Sequence, residues 1–203
     1  AVDLSADVTA YNAAPSATQF DSWTNSTAGV LAKAMMAEAV SAYASGVGNL
    51  SEEGYMLAIY PTMKASGDPI ALSGTTYVSK YYVAYSDAAK ASGTELGHVY
   101  YAKGTSEAFF PDDGSGKSHQ STVTLFVGIS GSTSAPTLGK LAILADDSWD
   151  GSGISGSYVT TYNGNPSETA ANGFSTLSTG STYSATLIQN MLKEAISSYK
   201  GGK

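Results

Sequence analysis

Residues 2–10, VDLSADVTA, alternate strictly, with Val2, Leu4, Ala6, Val8 and Ala10 on one side and Asp3, Ser5, Asp7 and Thr9 on the other. A two-residue period is that of a pleated strand, so the segment predicts a strand with one dry face. Pro15 breaks the loop that follows. Between Ser26 and Ala44 the period changes: Leu31, Met35 and Ala39 lie one turn apart, with Met36, Val40 and Tyr43 alongside. Asn25 or Ser26 can cap this helix and Gly46 can end it. Its central turns carry only Lys33, Glu38 and Ser41 as polar residues, which predicts cover on nearly all sides, from its own sheet or from a neighbouring subunit.

The middle of the chain predicts strands at 55–60 (YMLAIY), 76–86 (TYVSKYYVAYS), 96–102 (LGHVYYA), 121–129 (STVTLFVGI), 138–145 (LGKLAILA) and 157–162 (SYVTTY), each bounded by Gly, Pro, Asp or Ser. Most intervals are too short for helical crossovers, so hairpins are expected. The final element, 184–199, sets Ile188, Met191, Leu192, Ala195, Ile196 and Tyr199 on one face, with Gly201 just beyond it. Segments 146–157 and 172–182 read as low-complexity loops. The expected fold class is α+β: a largely antiparallel sheet with an early Ala/Met-rich helix and a C-terminal amphipathic helix. A single domain over 1–203 is expected, with residues 1–20 as a strand and linker that a neighbouring subunit could receive in exchange.

Composition then removes partners. Only 13% of residues are charged, all ten basic residues are lysine, and the net charge is −7. Nucleic acids and anionic membranes are bound through clustered basic charge, and arginine is the usual bidentate phosphate ligand, so neither is an expected partner. No apolar run approaches the ~20 residues of a membrane-spanning helix. Cysteine is absent, which excludes disulfides and thiol chemistry. Richness in Ser, Thr, Gly, Ala and Tyr with little charge fits an extracellular or cell-surface protein. Ala1 in first place suits either a cleaved signal peptide or a removed initiator methionine. Asn25 and Asn49 begin sequons.

The loop PDDGSGKSH at 111–119 contains the tail of a phosphate-binding loop, GSGKS, but Pro111 stands where the first glycine is required. A strand-like run follows where a helix is needed, so no nucleotide is expected. His98 and His119 lack metal-ligand spacing, Glu52 and Glu53 read as a solvated turn, and no residue is assigned a catalytic role. Asp146, Ser148 and Asp150 alternate ahead of Gly151, as in the first half of an EF-hand-type calcium loop. Ser157 occupies the position of the bidentate glutamate, so calcium, the one candidate cofactor, would need a further ligand from Asp112, Asp113 or Glu168. Among the 14 tyrosines, Tyr77, Tyr81 and Tyr85 share a strand face with Val83, while Tyr82 faces the other way with Val78. Such a stripe can stack on sugars, form an interface or lie under a helix. Trp23 and Trp149 are the only tryptophans for a carbohydrate platform.

The expected function is that of a non-enzymatic structural subunit of a surface assembly, such as a pilus-like filament, a surface layer or a virion. Its partners would be copies of itself. The N-terminal strand, through Val2, Leu4, Ala6, Val8 and Ala10, could add to a neighbour's sheet. The competing expectation is a secreted ligand- or carbohydrate-binding module or hydrolase.

Overall fold

The computed structural model describes residues 52–90, 93–106, 120–147, 154, 156–178 and 182–203, which fall within one compact unit spanning Leu50–Lys203. The N-terminal strand and the helix expected at 26–44 lie outside the described residues. The described elements are α1 (Glu52–Ile59), β1 (Ala65–Ser66), β2 (Ile70–Ala71), β3 (Val78–Tyr85), β4 (Glu95–Thr105), β5 (Thr122–Ser132), β6 (Ala135–Asp147), α2 (Gly156–Gly164), α3 (Glu168–Asn172), a 3₁₀ turn (Phe174–Thr176) and α4 (Thr182–Lys200). All strand pairs are antiparallel, in the order β1-β3-β4-β5-β6, with β2 also beside β3. The fold is α+β, as the hairpin spacing predicts. Among the described residues no helix is long and apolar enough to cross a membrane.

Two predicted strands are helices. YMLAIY, all but Tyr60, belongs to α1, where Glu52 and Glu53 occupy the acidic first turn and Tyr55, Met56 and Ile59 are buried. SYVTTY belongs to α2, whose Tyr158 and Tyr162, one turn apart, are both buried. Each is rich in residues that favour strands, yet packing on the sheet outweighs a propensity difference of about 1 kcal/mol. The 3₁₀ turn Phe174–Thr176 occupies part of the 172–182 region read as loop, and the short helix α3 ends where that region begins; Ser167 caps α3 by accepting the N–H of Ala170 at 3.1 Å.

The sheet has helices on both faces. On one face Val123, Leu125, Val127 and Ile129 of β5 pack with Tyr100, Ala102, Leu138 and Leu141 against Ile188, Met191, Leu192 and Ala195 of α4. Tyr158, Tyr162 and Phe174 join the same core. On the other face Tyr82, Ala84, Val99 and Phe126 meet Tyr55, Met56 and Ile59 of α1. β5 therefore has neither face exposed between Val123 and Ile129. Burying each large apolar side chain contributes about 1.5–3 kcal/mol, which makes β5 and α4 the main sources of stability.

Local exceptions to the period decide what faces where. A bulge between Val78 and Lys80 in β3 sets Val78 on the face of Tyr81 rather than that of Tyr82, against the simple alternation. Glycines 97 and 128 leave a flat place beneath the end of α1: a Cβ at Gly128 would stand 2.4 Å from Ile59 Cγ2, and one at Gly97 2.3 Å from the Tyr60 hydroxyl. The acidic start of α1 is anchored too. Lys80 Nζ donates to both Glu52 oxygens at 2.8 and 3.0 Å, and the Tyr82 hydroxyl donates to the same carboxylate. Burial opposes ionisation of Glu52, but Lys80 and Tyr82 outweigh it and hold its pKa below the usual range. Glu52 thus stays exposed, but it sits in the first turn of a helix as a tether where the sequence reads a free turn.

Among the described strands β6 ends the sheet, and at Leu141 its outer edge is met by a side chain. Leu141 N–H donates to Asn163 Oδ1 at 2.8 Å, and Asn163 Nδ2 donates to the Leu141 carbonyl at 2.9 Å. These are the two bonds a neighbouring strand would make. The Tyr162 hydroxyl reaches the Gly139 carbonyl at 3.3 Å. Native sheets commonly protect an outer strand in this manner against unwanted pairing.

Candidate functional site

The residues singled out for assembly, Val2, Leu4, Ala6, Val8 and Ala10, lie outside the described residues. So do Ser148 and Asp150, with which Asp146 would share calcium, and the whole 111–119 loop, including Asp112, Asp113 and His119. Asp146 is described: its Oδ2 accepts the N–H of Ile154 and so closes the loop between them. Glu168, considered as a supplementary ligand, accepts from Lys200 Nζ at 2.7 and 2.9 Å. Among the described residues no three His, Cys, Asp or Glu side chains cluster as a metal site would require.

The tyrosine stripe divides into two environments. Tyr81 stacks on His98 with ring centroids 4.8 Å apart and on Tyr100 at 5.4 Å, while Tyr199 of α4 meets His98 edge-on at 5.2 Å. The hydroxyls finish this cluster by bonding to backbone: Tyr199 donates to the Gly131 carbonyl at 2.5 Å, and Tyr100 donates to the Lys203 carbonyl. Burial, with lesser repulsion from Tyr81, Tyr199 and Tyr60, pushes the Tyr100 hydroxyl far above its ordinary value.

His98 sits among these rings with Nε2 3.2 Å from Glu95 Oε1. Burial lowers its pKa, and the nearby Glu95 carboxylate only partly offsets the effect. A histidine whose folded pKa lies below its unfolded value of about 6.5 binds fewer protons when folded, so its protonation favours unfolding. Stability should therefore decline as pH falls through about 6.5 and level off below the folded pKa. Urea midpoints measured between about pH 8 and pH 5 check this. The decline should be shallower in His98→Asn than in the parent chain, and parallel curves would remove the assignment.

Tyr77 belongs to the second environment. The Glu194 carboxylate of α4 accepts backbone N–H groups from Thr76 at 2.6 Å, Tyr77 at 2.6 Å and Val78 at 2.8 Å. The entry to β3 is thereby fixed against the last helix. Gly104 in β4 permits the approach, because a Cβ there would stand 2.7 Å from Tyr77 Cδ1 and 3.1 Å from Leu187 Cδ1. Around this junction lies a groove of about 420 Å³ lined, among the described residues, by Tyr77, Thr105, Ser106, Tyr183, Thr186, Leu187 and Asn190. The volume falls within the range of about 300–1,000 Å³ for small-molecule sites, whereas a second hollow beside Tyr81 and Lys203, at about 260 Å³, falls below it.

The described lining residues of the groove are all neutral. Thr105 shares a 3.0 Å hydrogen bond with Thr122, and Ser106 Oγ accepts the N–H of Ser121 at 2.9 Å. On α4, Tyr183, Thr186 and Asn190 follow at helical spacing along the margin of the buried face. The tyrosine stripe contained one wall of this groove. The α4 wall was missed, although an aromatic, a hydroxyl and an amide along one side of a helix are its visible signal. No protein-family model matches the sequence, and no curated protein and no solved structure matches it either, so the functional argument rests on these residues.

Proposed function

We propose that the chain is a non-enzymatic structural subunit of an extracellular or surface assembly, a filament, surface layer or virion, and that it packs against copies of itself. The sheet face beneath α1 supports this reading. Eight residues of helix reach only about 12 Å. The strands beneath run to 11 and 13 residues, about 35–45 Å. Leu96, Tyr101, Ala142 and Leu144 consequently remain half-buried around the helix, and Leu57 on α1 is 39% exposed. A face of this composition suits burial against a second copy. Asn163 favours face packing over strand addition at the centre of β6, where Leu141 is already bonded. A donor strand through Val2, Leu4, Ala6, Val8 and Ala10 would need another acceptor edge.

Light scattering and negative-stain microscopy of the full chain at rising concentration provide the test. Ordered polymers are expected, and Leu57→Glu should suppress them while leaving the monomer folded. Monodisperse monomers at every concentration would contradict the proposal, and polymers indifferent to Leu57→Glu would contradict the face assigned. Normal polymers from a chain lacking residues 1–10 would remove strand donation alone.

A further inference from the structure

We propose that the groove between β3, β4 and α4 binds a neutral sugar. The inference rests on the chemistry of the lining and is independent of assembly. Tyr77 and Tyr183 supply aromatic surface from the sheet side and the helix side, and Tyr183 is 44% exposed. Aromatic rings cover the apolar C–H faces of a pyranose, while polar groups at the margin fix its orientation. Thr105, Ser106, Thr186 and Asn190 provide those groups. A hydroxyl or a carboxamide both donates and accepts hydrogen bonds, as every sugar hydroxyl does.

The same inventory discriminates against other ligands. No lysine lies among the described lining residues, so none of them offers a phosphate or carboxylate a cation. The Glu194 carboxylate, held by the backbone N–H groups of Thr76, Tyr77 and Val78, also disfavours an anion beside Tyr77. Leu187 gives the floor an apolar patch, and Gly104 keeps that floor low enough for the Tyr77 ring to stand beside it. The fold thus seats the Tyr77 ring before any ligand arrives, which reduces the ordering cost of binding on that side.

Amide NMR titration of the full chain with glucose, galactose, mannose, N-acetylglucosamine and their disaccharides tests the proposal, with glucuronate as the charged probe. At least one neutral sugar should give saturable shifts at residues 105–106 and 183–190, with a Kd of about 1 mM or tighter. Tyr183→Ala and Asn190→Ala should each weaken binding about tenfold, whereas Tyr183→Phe, which keeps the ring, should retain most of it. Tyr183→Phe and Asn190→Ala keep the test decisive should Tyr183→Ala fail to fold. Absence of saturable shifts with every neutral sugar, binding unchanged in Asn190→Ala, or tighter binding of glucuronate than of glucose would each overturn the proposal.

Discussion

Gly97→Ala is expected to destabilise the protein by about 2–6 kcal/mol, the sum of a tight-packing penalty and a backbone strain of about 1–3 kcal/mol each. Gly97 has φ +147°, a conformation that side-chain-bearing residues rarely adopt. Its added Cβ would stand 2.3 Å from the Tyr60 hydroxyl, 2.7 Å from the Ile129 carbonyl oxygen and 2.8 Å from Ser130 Cβ. A tyrosine tip can move, but a carbonyl in the middle of the sheet cannot move without disturbing the β4–β5 pairing. Adding Tyr60→Phe should thus recover only part of the loss. A domain with an ordinary stability of about 5–15 kcal/mol would lose a large share of it, readable as a fall in the urea midpoint. A Gly97→Ala chain within about 1 kcal/mol of the parent would show that the seat of α1 is looser than its geometry implies.

The second large effect is expected at Glu194. Glu194→Ala removes one acceptor from three backbone N–H groups, and Val78, which carries one of them, is completely buried. Hydrogen bonds to a charged group contribute about 1.5–3 kcal/mol each, and the three share one carboxylate, so a combined loss of about 3–4 kcal/mol is expected. Glu194→Gln keeps a single carbonyl oxygen and should lose about half as much. Amide exchange localises the effect: the N–H groups of Thr76, Tyr77 and Val78 should lose protection in both variants before the centre of β5 does. A loss under about 1 kcal/mol in Glu194→Ala, with those amides still protected, would show that another acceptor replaces it.

The long strands were legible because turn residues bound them and because β5 alternates Val123, Leu125, Val127 and Ile129 toward one face. α4 was legible from Ile188, Met191, Leu192, Ala195, Ile196 and Tyr199, all of which are buried. The failures have a common cause. Over six residues, YMLAIY and SYVTTY satisfy strand composition, and only the i, i+4 spacings Tyr55–Ile59 and Tyr158–Tyr162 betray the helix. The bulge in β3 moved Val78 to the opposite face from that predicted, since an inserted residue resets the alternation without leaving a signature in composition. The groove was half-visible: its tyrosine wall stood in a recognised stripe, but Tyr183, Thr186 and Asn190 arrive from a helix far away in sequence. Glu194 gave no warning at all, because a lone glutamate on the polar side of an amphipathic helix looks like solvent-facing charge.

The arrangement of strands also sets a kinetic order. β3, β4 and β5 each pair with their immediate successor, so the sheet can zip from short-range contacts with modest loop-closure cost. The bonds from Glu194 span 116 to 118 residues and require both the sheet and the last helix in place. They should form after the rate-limiting step, so that losing them accelerates unfolding while refolding keeps nearly its original speed. The carboxylate of α4 acts, in this sense, as a latch on the lifetime of the native state and contributes little to the speed with which that state is reached.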